Sequence, residues 1–556
     1  MIMKKDTVKM AAAACSTMRQ SCARFCRSNG DLLLILFFAA AVLLANIGVA
    51  REFYSDDEYL YAKIAAEMFH RGDLWVPTWL GKAAFYKPPF TYWLMMLGYS
   101  VFGVSLTAAR ISVAATGVCT AWLLFLLGRR LYGREGARLA GLLFITSFGY
   151  LFYGRVGMMD MPFTLFIAAA IYSFYRAFED ESKQHAAAFF VLAGASTLVK
   201  GPVSAVIILM FGVLMLVIYG RPGRIFNAWG AAGIVAGIAL VLLWPAAMYF
   251  RGEWGEWYRF FVLRENLGKF TDQAYSIFKM LPYILQYFFP WSLLFIAGAA
   301  VLFRRGALSG RKFVYPLFWM LCATAVFIIP AVKLPWYMLP SLPAAALFTA
   351  GAWVELKGSR PARIGAAATV IPALILLAAL LVALRVSGDA GLCIVLAAAF
   401  AVNLLLLRFL LVGDVAKGAL AYGAMVILII LAGGCFTFDR LPGEAIAMMG
   451  SQSVPVGVVK KQVYLYSYYL DRPVRQIYET SQADDILSRG GRVIVDAHNL
   501  AEFTREGSIQ KIHTLHKWRE WKETIMPREA VCAVVTGNIL PLQEQVYLIK
   551  SAELRR

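Results

Sequence analysis

The chain is built around apolar runs long enough to cross a bilayer, the first being "DLLLILFFAAAVLLANIGVA" at 31–50. A bilayer core demands about 20 mostly apolar residues per helix and tolerates no unpaired backbone. No other feature limits the possible folds as tightly. Further runs lie near 107–128, 137–153, 160–177, 186–199, 203–220, 229–250, 278–301, 313–331, 335–356, 364–385, 390–408 and 418–436. Charged residues make up only 16% of the chain, where soluble domains carry about a quarter. The fold class is therefore a polytopic α-helical membrane protein of about 13 spans.

The formal net charge of +20 first suggests nucleic acid. The positions of the cations argue against that partner. They cluster in short loops between spans, where Lys and Arg orient a chain and meet anionic membrane lipids. The leader 1–30 carries Lys4, Lys5, Lys9, Arg19, Arg24 and Arg27, which places it in the cytoplasm. It shows no small-residue cleavage site, so the first run reads as an anchor. The stretch "PPFTYWLMMLGYSVFG", 88–103, is short, aromatic and opened by two prolines. Reading it as interfacial or re-entrant puts "GRRLYGREGAR", "RAFEDESK", "GRPGRIFN", "FRRGALSGRK" and "ELKGSRPAR" on the cytoplasmic side. The C-terminus then lies outside. The eight cysteines are scattered, with no CxxC pair, and suggest neither a disulfide framework nor a zinc knuckle.

Composition changes near 437. Strand-like runs "QVYLYSYYL", "RVIVDAH", "AVCAVVTG" and "QVYLIK" alternate with helix-capable stretches such as "SQADDILSRG". They predict a small external α/β domain of about 120 residues. The chain thus divides into a leader (1–30), a transmembrane unit (31–436, with a first outer loop at 51–106) and a C-terminal domain (437–556).

The polar residues that could do chemistry fall on the outer side. Asp56, Asp57 and Glu58 open an amphipathic stretch with Tyr61, Ile64, Ala65 and Met68 at helical spacing. Carboxylates at a helix start cap it and suit its dipole. A carboxylate near a low-dielectric boundary can also act as a general base. Lys87, before two prolines in "FYKPPF", is placed either to snorkel or to hold a phosphate. Asp160 lies at the mouth of an apolar run, with Arg155 five residues before it. It faces either a cavity or a structural partner such as Arg155. Lys200 in "LVKGP" and Lys333 in "VKLPWY" each sit beside a helix breaker. Arg264 and Lys269 add cations among the aromatics of 251–270. Such a collection could gather a polyanionic headgroup.

There is no Walker loop, no HExxH and no dinucleotide-binding glycine turn. An enzyme of this kind would take its energy from an activated substrate.

These residues resemble a known family. "DDEYLYAKIAAEMFHRGDLWVPTWLGKAAFYKPPFTYWL", "RVGMMDMPF", "GASTLVKGP", "ENLGKF", "KLPWYMLPSLPAAAL" and "YSYYLDRPV" are similar, as an ordered set, to the aminoarabinose transferases. These are GT-C glycosyltransferases related to protein O-mannosyltransferases. The resemblance implies juxtamembrane helices in the first outer loop and a periplasmic active site in the bacterial inner membrane. It implies an undecaprenyl-phosphate-linked sugar as donor, lipid A or another envelope molecule as acceptor, and action as a monomer. By the same resemblance Asp57, followed by Glu58, would be the general base. Asp160 would be the second outer acid, Lys87 the phosphate-holding lysine, and Lys333 and Tyr337 would lie near the carrier. Arg155, Lys200, Arg264, Lys269 and Tyr61 complete the binding candidates. Inverting displacement is the implied chemistry. Two departures stand out. Tyr86 replaces the family's frequent Glu before the "KP" lysine, and Asn266 replaces a frequent His. Both argue against a bound divalent metal.

Two other readings remain. One is transfer to protein side chains or another envelope lipid or glycan. The other is a transporter or flippase of lipid-linked sugars, although transporters tend to carry midplane charges and repeats that are not evident here.

Overall fold

The structure, a computed structural model, describes residues 29–48, 56–268, 280–328, 334–357, 359, 364, 390–432, 448–449, 453–459, 463–496, 508–516 and 543–550. The leader 1–28, Lys269, Lys333, the expected strand "AVCAVVTG" and all but one residue of the run 364–385 lie outside the described residues.

The amphipathic stretch after the first apolar helix (Asn29–Leu44) folds as a helix, Asp56–Arg71. Tyr61, Ile64, Ala65 and Met68 are all buried, as their spacing predicts. A two-stranded ribbon, Thr78–Trp79 with Lys82–Ala83, leads to Lys87. The two prolines then start the helix Phe90–Phe102. With 13 residues it is about 20 Å long, too short to cross the bilayer core, as the interfacial reading requires.

The runs 107–128 and 137–153 form two helices within Leu106–Ile145 that break at Gly133 (φ 73°, ψ −165°) and fold back, so that a Cβ on Gly128 would stand 3.1 Å from the Ala137 Cα; a short helix, Phe148–Tyr153, follows. Ser105 caps the start by accepting from the Ala108 N–H. Among the described residues, six helical stretches, Leu106–Ile145 counted as one, are long and apolar enough to cross a membrane, or seven with one bent pair. The run 278–301 is that pair. It breaks into Met280–Phe288 and Ser292–Arg304, bent by 117°. Pro290 supplies no backbone donor at the break. The runs 390–408 and 418–436 correspond to the helices Ala390–Val412 and Val415–Ala432.

Small residues let the bundle close. The helices Lys183–Lys200 and Ala228–Phe250 cross where a Cβ on Gly194 would stand 2.2 Å from the Gly237 carbonyl oxygen. The opposite side of Ala228–Phe250 exposes Val235, Ile238 and Leu242, as a lipid-facing surface does. The helix Leu342–Leu356 is buried almost throughout and forms the centre of the bundle.

The tail contains a five-stranded mixed sheet in the order Arg475–Ile477, Val456–Val459, Arg492–Asp496, Gln543–Lys550, Ser508–His516. The first three strands are parallel and the last two antiparallel to their neighbours. The helix Thr480–Ser488 matches the expected "SQADDILSRG" element. "VYLYSYYL" is a helix, Val463–Leu470, and not the expected strand. Its aromatics dock on the helix Asp56–Arg71 and the ribbon: Tyr464 meets Trp79 with centroids 5.3 Å apart, and Tyr468 meets Tyr59 at 5.6 Å. Lys63 pairs with Asp471 across the same junction. Burying rings on one helix face satisfies this docking better than strand alternation would.

Candidate active site

Asp57 lies in the first turn of the Asp56–Arg71 helix and is half-buried. One turn further, Tyr61 is buried with its ring 6.2 Å from Tyr92. Burial pushes the Tyr61 hydroxyl well above its usual pKa, and Asp57, Tyr92, Asp160 and Glu265 push it further. Asp57 and Glu265 act likewise on Tyr92, again behind burial. The Tyr92 hydroxyl has no hydrogen-bond partner among the described residues. Acids from three distant parts of the chain therefore act on Tyr61, and two of them, Asp57 and Glu265, also act on Tyr92.

Two lysines stand among them. Lys87 Nζ lies 3.0 Å from Glu265 Oε2, both side chains being mostly buried. Lys200 Nζ lies 2.5 Å from Asp160 Oδ1. It also faces the rings of Phe163, Tyr337 and Phe327 at 4.9, 5.0 and 5.6 Å from their centroids. A buried ammonium survives when a carboxylate and ring faces replace its water. Lys200 ends its helix, and Gly201 at φ 80° turns the chain sharply into Pro202. That left-handed conformation favours glycine. Lys87 and Lys200 are close enough to repel each other. Asp57, Tyr61, Lys87, Asp160, Lys200 and Tyr337 thus come together at one end of the bundle.

Other candidates are placed differently. Glu58 is completely buried. Arg110 Nε and Nη2 donate to its two oxygens at 2.8 Å each, and the Gly157 N–H donates at 2.6 Å. Its carboxylate ties the helix Asp56–Arg71 to the bundle, so a structural reading suits it better than proton transfer. Arg155 does not pair with Asp160 as one reading had it. It is buried and donates to the carbonyls of Val42, at 2.6 Å, and Ala45. Arg264 is exposed, 5.1 Å from the Phe260 ring.

Sequence reasoning missed Glu265. It lies on a π-helical segment, Tyr258–Leu267, that packs over the "YKPP" stretch through Phe260 against Tyr86 at 4.9 Å. The signal was present: a lysine at a low-dielectric mouth needs a counter-ion.

Tyr86 turns its ring to Phe260, and the Asn266 amide donates to the Phe261 carbonyl at 2.7 Å. Among the described residues no three His, Cys, Asp or Glu side chains converge.

Residues 86–249 match the family described as dolichyl-phosphate-mannose-protein mannosyltransferase. An undecaprenyl phosphate-alpha-4-amino-4-deoxy-L-arabinose arabinosyl transferase of Edwardsiella ictaluri is 31% identical over 317 residues, 55% of this chain and 57% of the relative. A protein of the same name, numbered 1, from Pseudomonas fluorescens is 27% identical over 361 residues, 63% of this chain and 62% of the relative. The match thus spans less than two thirds of the length of these relatives. The crystal structure of ArnT from Cupriavidus metallidurans bound to undecaprenyl phosphate aligns with a TM-score of 0.70 at 17% identity, over 94% of this chain and 98% of that one. Its apo form aligns with a TM-score of 0.69 at 18% identity, over the same shares. The chain has the ArnT fold, a GT-C fold, and shares sequence with the arabinosyl transferases.

Proposed function

We propose that this chain, sharing fold and sequence with aminoarabinose transferases, moves a sugar from an undecaprenyl-phosphate carrier to an acceptor at the periplasmic face of the bacterial inner membrane. The sugar is 4-amino-4-deoxy-L-arabinose or a close relative, and lipid A is the leading acceptor. The N-terminus is cytoplasmic and the C-terminal domain periplasmic. The observation that carries this reading is the pair of ion pairs Lys87–Glu265 and Lys200–Asp160 beside buried aromatic residues, with Asp57 acting on the same phenols as Asp160 and Glu265.

Lys87, with Lys200 behind it, holds the donor phosphate and offsets charge on the departing group. Asp57 takes the proton from the acceptor's hydroxyl or phosphate oxygen. That oxygen attacks the anomeric carbon. The carbon–oxygen bond to phosphate breaks with inversion, and polyprenyl phosphate leaves with the electron pair. Tyr61 and Tyr92, held protonated, can donate hydrogen bonds and do not compete as bases. No step is routed through a metal.

The experiment is Asp57→Asn in the full-length protein with undecaprenyl-phosphate-linked aminoarabinose and lipid A. Product formation should fall roughly 10²–10⁴-fold while undecaprenyl phosphate still binds. Turnover equal to the parent would overturn the assignment of the base. Movement of lipid-linked sugar across the membrane without any new glycosidic bond would favour the transporter. The family match over 86–249 supports a second acceptor class, protein hydroxyls. Mass spectrometry of lipid A, envelope glycans and envelope proteins with and without this chain separates the acceptors.

A further inference from the structure

We propose that Glu265 is the resident counter-ion of Lys87 and that the donor phosphate must displace it to bind. This rests on the reading of Lys87 as the phosphate-holding residue and adds a residue that tunes affinity for the carrier.

Three observations carry it. First, the Lys87–Glu265 contact of 3.0 Å occupies the ammonium that the phosphate needs. Both side chains are only 19% exposed, so solvent screens the pair weakly. Second, the acids of the cluster are not equivalent. Asp160 is committed to the caged Lys200, and Asp57 is needed as base. Glu265 has no such role, so its contact with Lys87 is the one that can be given up without loss of the reaction. Third, the two partners stand on unequal supports. Lys87 precedes two prolines that restrict its backbone. Glu265 rides on a π-helical segment, a backbone form concentrated at functional sites.

A purely structural salt bridge and a displaceable counter-ion predict opposite signs. Full-length protein carrying Glu265→Gln is titrated with undecaprenyl phosphate, and with undecaprenol as a probe lacking phosphate. Displacement predicts about 3- to 10-fold tighter binding of undecaprenyl phosphate, the modest net strength of a partly exposed pair expressed as affinity. Binding of undecaprenol stays unchanged. Unchanged or weaker phosphate binding overturns the proposal. So does equal tightening for both probes, which would mean a wider apolar groove. Lys87→Ala tests the underlying reading separately. If it leaves undecaprenyl phosphate binding intact, Lys87 is not the phosphate residue. If it abolishes binding while Glu265→Gln tightens nothing, only the counter-ion proposal fails.

Discussion

Arg110 holds both carboxylate oxygens of Glu58 at 2.8 Å in a wholly buried, two-pronged ion pair. Asp57, one residue earlier, is half-buried in the polar cluster with Tyr61. Adjacent acids thus have unlike fates, because successive residues on a helix point about 100° apart. Glu58→Gln leaves the Arg110 charge buried and short of its partner, at a cost of about 3–5 kcal/mol. Thermal unfolding in detergent should show a lowered midpoint for Glu58→Gln and an unchanged one for Asp57→Asn. Equal midpoints for Glu58→Gln and the parent would remove the tie.

Lys200 and Asp160 should behave as one unit. Replacing either alone strands a buried charge and costs about 3–5 kcal/mol. Asp160→Asn with Lys200→Met should cost less than the sum of the single changes. A double-mutant cycle on unfolding free energy reads the coupling. Strict additivity would mean that the pair contributes nothing as a pair.

Lys87→Ala should lower turnover or carrier affinity by one to two decades. One charge-assisted contact to phosphate contributes about 1.5–3 kcal/mol. The same change removes a partner from Glu265, so the fold should be checked alongside, by gel filtration and melting. Membranes that retain full transfer activity would contradict the phosphate assignment.

The buried phenols make the polar cluster sensitive to alkali. Burial, then neighbouring anions, raise the Tyr61 and Tyr92 pKa well above the ordinary value near 10. The unfolded chain gives up these protons first. The stability that they contribute is therefore complete below pH 10 and is lost as pH rises beyond it. At pH 11 each accounts for up to about 1.4 kcal/mol. Tyr61→Phe with Tyr92→Phe should flatten the fall in melting temperature between pH 9 and 11. An unaltered alkaline slope would show that other groups cause it.

Local pattern carried much of the fold. The helix Asp56–Arg71 was legible because Tyr61, Ile64, Ala65 and Met68 repeat at its period. The short helix Phe90–Phe102 was legible because two prolines and its length rule out a full span. The "VYLYSYYL" helix was not, since a run of tyrosines with Val and Leu has strand propensity taken alone. Docking against Tyr59 and Trp79 decides its form. The 117° bend between Met280–Phe288 and Ser292–Arg304 was also missed, although Pro290 marked the place.

The candidate site divides in the same way. Residue types at the outer mouths of spans pointed to Asp57, Lys87, Asp160 and Lys200, since ionisable groups there are costly without a purpose. Which acid meets which cation was beyond reach. Arg155, five residues from Asp160, turned to the carbonyls of Val42 and Ala45, while Lys200 took Asp160. Glu265 reached Lys87 from 178 residues away.

The sequence by itself determined that the chain enters the membrane, where its apolar runs lie, and which residues at their ends bear charge. Those properties follow from the cost of exposing backbone and charge to hydrocarbon, which each segment meets alone. Only the tertiary structure decided the pairings: Glu58 with Arg110, Lys200 with Asp160 inside its aromatic rings, and Glu265 on Lys87. A buried charge is satisfied by whichever opposite charge the packing brings within about 3 Å, and neighbours in space need not be neighbours in the chain.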